Sequence, residues 1–450
     1  MKKLFRFIMN PFSAGDRVLE EAAREGAKHE GFWANVKKQF RKNKLALFAF
    51  RFIMFLGVLA LLADFIANEK PLACRYNGNT YFPVFRSYAV DLGLVQWPTD
   101  LQNVEWKSLN YEWSVFPPVP YLPKNIDDKN SQSKGPFATQ DVPSTRWRHW
   151  LGTDELGHDV LAAMIHGTRI AMLVGIVAMS IASFIGILLG AMAGYFGDNR
   201  LKATRASLIT GLIFGILGLF YGFGSRSYVL KDSFASGLGG FFFQFLLSVL
   251  IIVLFLWLSR FVAKPLKKIA YLGKPVSIPV DIIVSRLFEI MLSIPTLFLI
   301  ISISAIVEKP SIFHVMIIIG CTSWTGIARF IRAELLRVRS LEYIEAANAL
   351  GFTEMRIIFK HAIPNALSPV LIAVAFGIAS AILTESILSF LNVGVPAESL
   401  TWGTLLSLAR QTPTAWWLAI FPGFAIFITV TIFNLAGEGL TDALDPRLKK

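Results

Sequence analysis

The sequence predicts an all-α polytopic membrane protein, and three observations carry that prediction. Of 450 residues, 54% are hydrophobic and 17% charged, where a soluble domain carries about a quarter charged residues. The apolar residues gather in eight runs, each near the roughly 20 residues that an α-helix needs to cross a hydrocarbon core about 30 Å thick. The cations gather too, and every strongly basic stretch falls at the same end of the predicted helices. The positive-inside rule therefore accounts for the net charge of +13 without a nucleic-acid partner. Eight spans with both termini in the cytoplasm satisfy the pattern.

Residues 1–44 form a basic N-terminal segment. Its start, MKKLFRFIMNPF, reads equally as an interfacial stretch or a frayed polar tail. Lys37, Lys38, Arg41, Lys42 and Lys44 then lead into the first span, 45–66, and hold its N-terminus inside. This run begins too deep in the chain for a cleavable signal and is expected to stay as a helix. Residues 67–150 change character, with Pro, Tyr, Trp, Asn and Asp dominant and charge near balance. A structureless connection of that length is uncommon, so the aromatics of this extracytoplasmic segment either build a small packed lobe, the favoured reading, or line a contact surface. Cys74 falls in it and Cys321 in a membrane helix, so the two do not pair, and no CxxC spacing occurs.

Residues 151–450 make up the main transmembrane domain. In WLGTDELGHDV, Thr153, Asp154 and Glu155 suit a helix N-terminus. The second span follows at about 170–195, and its Gly175, Ala178, Ala182, Gly186, Gly190 and Gly194 fall mostly four apart, which predicts backbone-to-backbone packing. Two further runs, about 206–223 and 238–261, are joined by GSRSYVLKDSFASG, read as a short polar turn. Arg200, Lys202, Arg205, Lys264, Lys267, Lys268 and Lys274 flank them, so the segment 200–280 is a hairpin with both ends inside. Gly211, Gly215, Gly218 and Gly222 predict close packing of its first helix. The remaining spans are placed at about 288–307, 312–330, 366–391 and 416–435, after which DPRLKK ends inside.

Between the sixth and seventh spans, residues 331–365 turn polar and basic. Residues 331–341 and 342–350 favour helix, Gly351 stops the run and TEMRIIFKHAI restarts it. Pro364 is expected to end that second helix. The result is an elbow projecting into the cytosol, with little side-chain bulk at Ala346, Ala347 and Ala349 and a glycine free to take an unusual backbone angle. The plain alternative is an amphipathic connector. A bare EAA triplet would not displace it, but Glu345-Ala346-Ala347 with Gly351 and Pro364 at these spacings does.

These residues resemble the coupling-loop signature of ABC importer permeases, and HAIPNALSP resembles its peptide-importer version. WLGTDELGHDVLAAMIHGTRIAMLVG, VDIIVSRLFEIMLSIPTLFLI, LTESILSFLNVGV, NLAGEGLTDALDPRL and FRKNKLALF resemble other stretches of the same subfamily, which serves oligopeptides, dipeptides and nickel. IANEKPLACRYNGNTYFPVFRSY is similar to its microcin C-type branch. The resemblance implies a type I importer core of six helices, to which the hairpin is extra, in a bacterial inner membrane. It implies a homologous second permease, two ABC ATPase subunits, an extracytoplasmic solute-binding protein and surrounding lipid as partners. ATP and Mg belong to the ATPase, and this chain itself holds no cofactor. By the same resemblance Glu345, Ala346, Ala347 and Gly351 form the docking elbow, and His361, Pro364 and Asn365 attach it to the next span. Two features depart from the family: His158 stands where Arg is usual, and the spans number eight rather than six.

Nothing in the sequence points to an enzyme. There is no GxxxxGK[ST] phosphate loop and no GxSxG elbow. His149, His158, His166, Asp154, Glu155 and Asp159 cluster near one interface but lack HExxH spacing, so no metal site is expected. The competing class is an ion-coupled secondary transporter, which needs ionisable groups within the membrane. Glu385 is the candidate intramembrane polar site, at about 2.5–3.5 kcal/mol on insertion scales. Asp64 and Arg51 lie close enough to helix ends to snorkel. One buried acid is thin support for ion coupling.

Overall fold

In the computed structural model, residues 32–102, 104–236, 238–306, 311–396 and 399–444 are described; MKKLFRFIMNPF and DPRLKK lie outside them. Helix α1 (Phe32–Lys42) precedes the first span, α2 (Lys44–Leu61). Asn43 separates them by accepting from the Leu45 and Ala46 amides, both at 3.1 Å, the N-cap role of a short polar side chain. A one-turn helix, α3 (Ala63–Ile66), follows. Its Asp64 does not snorkel, contrary to expectation. It accepts from Arg169 Nη2 at 2.7 Å and from the Tyr88 hydroxyl, tying the first span to the second and to the segment beyond. Burial pushes this carboxyl up, and the Arg169 and Tyr88 hydrogen bonds overcome that and leave it below its ordinary pKa.

Residues 67–150 pack as a lobe. Strands β1 (Ala73–Tyr76), β2 (Asn79–Tyr81) and β3 (Trp113–Val115) form an antiparallel sheet in the order β2-β1-β3, with Cys74 opposite both Tyr81 and Ser114. Helix α4 (Pro83–Asp91) leans on α3 through the Phe65–Phe85 ring pair, 5.0 Å between centroids. Trp97 and Trp106 meet tilted at 5.3 Å, and Tyr111–Phe116 and Phe116–Trp147 meet edge to face at 6.0 and 5.3 Å, the spacing at which aromatic pairs attract beyond their area. At the lobe's base the buried His149 ring stands between Asp159 (2.7 Å) and Asp127 (3.1 Å).

Asp159 is also the N-cap of the long second span, accepting from Ala162 N at 2.6 Å. Thr153, Asp154 and Glu155 therefore do not start this helix. Asp154 instead accepts from the Leu156 and His158 amides within the preceding turn. Helix α5 (Val160–Ala191) continues through a π turn at Met192–Phe196, giving a span of 37 residues, ten longer at its start than the apolar run suggested.

The inserted segment is closed at its base by strands β4 (Lys202–Thr204) and β5 (Pro275–Ser277), antiparallel with Lys202 opposite Ser277. Between them run α6 (Arg205–Leu219), α7 (Ser227–Ser236) and α8 (Leu238–Leu266). The stretch expected to be a polar turn thus holds a ten-residue helix, because no breaker interrupts 226–236. Gly218 and Gly222 bring α6 onto α8: a Cβ there would lie 3.1 Å from Ile252 Cα and 2.8 Å from Ser248 O. Gly215 meets only an ordinary contact and Gly211 nothing within 4 Å, so two of the four glycines do what the spacing predicted of all. The two helices pack chiefly on each other and present exposed apolar faces outward.

The expected fifth span is broken. Helices α9 (Val280–Ser293) and α10 (Thr296–Ile306) meet at an 84° bend. Pro295 lacks a donor and pushes the residue before it out of the helical region, and Ile294 is extended at φ −101°, ψ 124°. Helix α11 (Ile312–Val338) follows and packs along α5. A Cβ at Gly186, Gly190 or Gly194 would fall 2.9, 2.4 or 2.6 Å from the carbonyls of Trp324, Ala328 and Arg332. Both series ascend in steps of four, so the helices run parallel at backbone contact. With α6 and α8 between them, that direction requires the bent pair to carry the chain back across. Seven described helices qualify as spans, and the bent pair makes eight.

The chain then forms three short helices, α12 (Glu342–Ala349), α13 (Glu354–Ile357) and α14 (Ile363–Ala366), and the span α15 (Ser368–Phe390). Helix α16 (Trp402–Gln411) has ten residues, about 15 Å, and does not cross. Trp402 pins it, donating to Met164 O at 3.0 Å over Gly167. Helix α17 (Trp417–Leu444) closes the bundle. Its Gly437 and Gly439 press on Phe376 and Ala46, and Asp442 accepts from Asn43. The start of α2, the ends of α5, α11 and α17, and the start of α15 therefore share one end of the bundle.

Candidate functional site: a helical elbow rooted in the bundle core

The site grows out of α11. Residues expected to open the polar loop at 331 instead prolong this helix to Val338, because Ile331, Leu335 and Val338 continue its buried stripe. Arg332 forks onto Asp281 of α9, with Nη2 2.7 Å from Oδ2 and Nε on Oδ1, and Arg339 donates to Gly194 O at 3.3 Å. After a turn at 339–341 comes α12, which ends in a Schellman arrangement. The Phe352 amide donates to Ala347 O (3.2 Å) and the Gly351 amide to Asn348 O (3.0 Å), while Gly351 takes φ +75°. Only glycine adopts that angle without strain, and it satisfies the last helical carbonyls.

Two faces of the elbow differ. Ile344 and Ala347 of α12, with Ile357, Ile358, Ala362 and Ala366 of the returning strand of helix, are buried in one apolar cluster with Ile331, Leu335 and Val338. Glu345, Ala346 and Gly351 face outward. Ala347 is thus a packing residue and not part of the exposed elbow. The exposed face also carries bulk that the sequence reading missed: Leu350 is 73% exposed, and Tyr343, Met355 and Phe359 of the same loop are exposed as well. Its signal was an apolar row at 343, 346 and 350, outward of the buried 344 and 347.

Pro364 does not end the second helix. Helical structure runs from Glu354 to Ala366 through a π turn at Ile358–Ala362, and the break follows at Leu367. The wider turn shifts the hydrogen-bond ladder just ahead of the proline, which sits in the first turn of α14 where a missing donor matters least. The His361 ring stacks on Phe352 (6.2 Å between centroids), which Arg356 covers at 4.5 Å. Asn365 donates to His361 O at 2.7 Å and lies within reach of Tyr343 on α12. Five of the seven predicted loop residues thus meet at one bent element, with Ala347 beneath it and Pro364 at its exit.

Above the elbow, α5, α11 and α15 enclose an apolar groove of about 440 Å³, walled by Met179, Ser323, Gly326, Phe330, Phe376 and Ser380. Glu385 lies farther along α15, 1% exposed. Its Oε1 accepts from Ser389 Oγ at 2.6 Å, Ser386 Oγ is 3.5 Å from Oε2, and Thr401 is within reach. Gly403, whose Cβ would sit 2.4 Å from Ser386 O, brings α16 onto the same seam. Hydroxyls satisfy this carboxyl, and among the described residues no second ionisable group faces it as an ion relay needs. The histidines disperse: His158 pairs with Asp154 (2.7 Å), His166 with Ala67 O (2.9 Å), and His149 with its two aspartates. Among the described residues no group of three His, Cys, Asp or Glu is placed to hold a metal.

The family described as the binding-protein-dependent transport system inner membrane component matches residues 270–450, and the N-terminal transmembrane domain of oligopeptide transport permease C matches 31–83. The dipeptide transport system permease DppC of Alkalihalophilus pseudofirmus is 30% identical over 302 residues, 67% of this chain and 73% of that protein. This chain belongs to the ABC importer permease family. The permease is also 28% identical over 412 residues to the inner membrane ABC transporter permease YejE of Escherichia coli K12, covering 91% of this chain and 95% of that one. The peptidoglycan transport system permease YejE of Agrobacterium fabrum is 26% identical over 439 residues, 92% of each chain. The inward-facing methionine transporter MetNI superposes with a TM-score of 0.31 at 18% identity, over 53% of this chain and 93% of that one, too distant to argue from. The permease is a multi-pass inner-membrane protein. It has the type I permease fold; the family model over 270–450 takes in the α9–α10 pair, α11, α15 and α17, and the α6–α8 hairpin lies outside both matched stretches.

Proposed function

We propose that this permease forms half of a translocation path for peptides or peptide-like solutes and is driven through the α12 elbow by a separate ATPase. The observation that carries the reading is the two-faced elbow: its outer face offers Ala346 and Leu350 to a partner while its inner face is continuous with the core of α11 and α14. Close-packed interiors transmit displacement instead of absorbing it. A partner that moves α12 therefore moves α11, and the glycine seam carries α5 with it. The groove between those helices and α15 then changes shape. Its apolar walls with two serine hydroxyls suit side chains and backbone groups of a short peptide, and the relatives named for dipeptide and peptidoglycan transport support that solute class.

In this reading a homologous second permease supplies the other half of the path. Two ATPase subunits bind ATP and Mg below the basic end, which is cytoplasmic together with both termini. A solute-binding protein delivers cargo on the lobe side. Glu345, Ala346 and Gly351 make the docking surface, and His361, Pro364 and Asn365 couple it to α15.

The test uses the assembled transporter with Cys74 and Cys321 replaced by serine. Leu350→Cys is expected to crosslink to the ATPase. Gly351→Val, a β-branched residue at φ +75°, strains the elbow by about 1–2 kcal/mol and is expected to leave membrane insertion intact while reducing uptake and solute-stimulated ATP hydrolysis together. A Leu350→Cys transporter that works normally and never captures the ATPase would refute the coupling role.

A further inference from the structure

We propose that the base of the inserted hairpin binds the phosphate headgroup of an anionic phospholipid. Lys202, Arg205, Arg260, Lys264, Lys267, Lys268 and Lys274 lie at the two ends of the insertion. Backbone joins those ends. Strand β4 pairs with β5, the Arg205 amide donates to Lys274 O (3.2 Å) and the Ala206 amide to Leu272 O (2.9 Å). The turn after α8 is closed by Gly273, whose Cβ would lie 2.4 Å from Lys267 O.

This concentration of charge has no local compensation. Between Asn199 and Val280 the only acid is Asp232, at the opposite tip of the hairpin. Both flanking acids are engaged elsewhere, Asp281 by Arg332 and Asp198 by the Ile282 amide (3.1 Å). Among the described residues none of the seven cations forms an ion pair. Lys202 and Arg205 also stand at the N-terminus of α6, which has no acid in its first turn. The positive end of a helix disfavours cations and favours an anion. Orientation in the membrane needs cations near a helix end, but it does not need two strands that clasp the two ends together.

The position selects a lipid as the source of that anion. The hairpin helices expose apolar side chains on their outward faces, so acyl chains lie directly beside the cations. Ile269 and Tyr271, 51% and 65% exposed in the same turn, suit the headgroup boundary, and Arg205 covers the Tyr271 ring at 4.2 Å. Basic clusters immediately beyond a span attract anionic headgroups in this way.

Native mass spectrometry of the assembled transporter, given a mixture of phosphatidylglycerol and phosphatidylcholine, tests the proposal without reference to transport, so its outcome is separate from that of the coupling role. Phosphatidylglycerol is expected to be retained preferentially. A quadruple variant with Lys264→Gln, Lys267→Gln, Lys268→Gln and Lys274→Gln should lose about tenfold or more of that preference, and the matching arginine variant should keep it. Equal retention of the two lipids, undiminished preference in the glutamine variant, or displacement by inorganic phosphate beyond that by chloride at equal ionic strength would each overturn it. If the glutamine variant does not assemble, photoreactive phosphatidylglycerol on the unaltered protein decides. Labelling of 202–205 and 260–274 supports the site, and labelling confined to other segments overturns it.

Discussion

The two glycine-lined contacts of this permease look alike in sequence and differ in structure. Along α5 each of Gly186, Gly190 and Gly194 meets a carbonyl of α11, four residues on at every step. Along α6 the same spacing closes only at Gly218 and Gly222; toward the base Gly211 faces open space, and Ala206 and Thr210 of α6 and Ser259 and Ala263 of α8 are the buried positions instead. The difference lies in the partner. Helix α11 offers Ala328 and a continuous buried stripe, whereas α8 turns Phe255 and Leu256 toward α6. A small-residue row states what one helix permits, and its neighbour decides whether the approach occurs.

That contrast can be broken in graded steps. Gly190→Leu drives a side chain into the Ala328 backbone and is expected to cost about 3 kcal/mol or more, with loss of folded permease seen as early thermal aggregation of the purified transporter. Gly222→Leu meets Ser248 O and should cost about 1–3 kcal/mol, confined to the hairpin. Hydrogen exchange should then quicken in 205–266 and not in 312–338, and equal quickening in both would erase the distinction. Excision of 205–274 with a two-residue turn joining Thr204 to Pro275 spans ends already paired as strands. The core's melting temperature is expected to shift by a few degrees at most, and a collapse of the core would show that the hairpin is integral to it. Gly211→Leu should be the mildest, within about 0.5 kcal/mol, and a larger effect would reveal a neighbour at that face.

Much of this architecture was legible because bulk hydropathy and charge register it directly: the spans, the shared basic end and the backbone contact along α5. The elbow was legible from Gly351, whose left-handed angle only the right residue tolerates. Three features escaped. The start of α5 lies ten residues before its apolar run because Asp159, held by His149, sets the cap, and His149 is distant in the sequence reading of caps. The bend at Pro295 sits inside an unbroken apolar run, where hydropathy is blind to backbone angle. The inward turn of Ala347 depends on helical phase relative to a core that only tertiary structure defines. For the start of α5 and for Ala347 the deciding partner lay outside the local window, whereas at Pro295 the cause is local but hydropathy does not register it.

The bend between α9 and α10 carries a consequence for how the molecule must live. Its two arms measure about 21 and 16 Å, and neither alone bridges the apolar interior. Residues 292–298 are exposed in the single chain, so the interrupted ladder of amides and carbonyls at Ile294 would face hydrocarbon, which backbone does not tolerate. A solitary copy therefore displays an open wound at that bend. Production of this subunit without its companions should yield a short-lived chain, cleared by membrane proteases until another protein or a water-filled vestibule covers that gap.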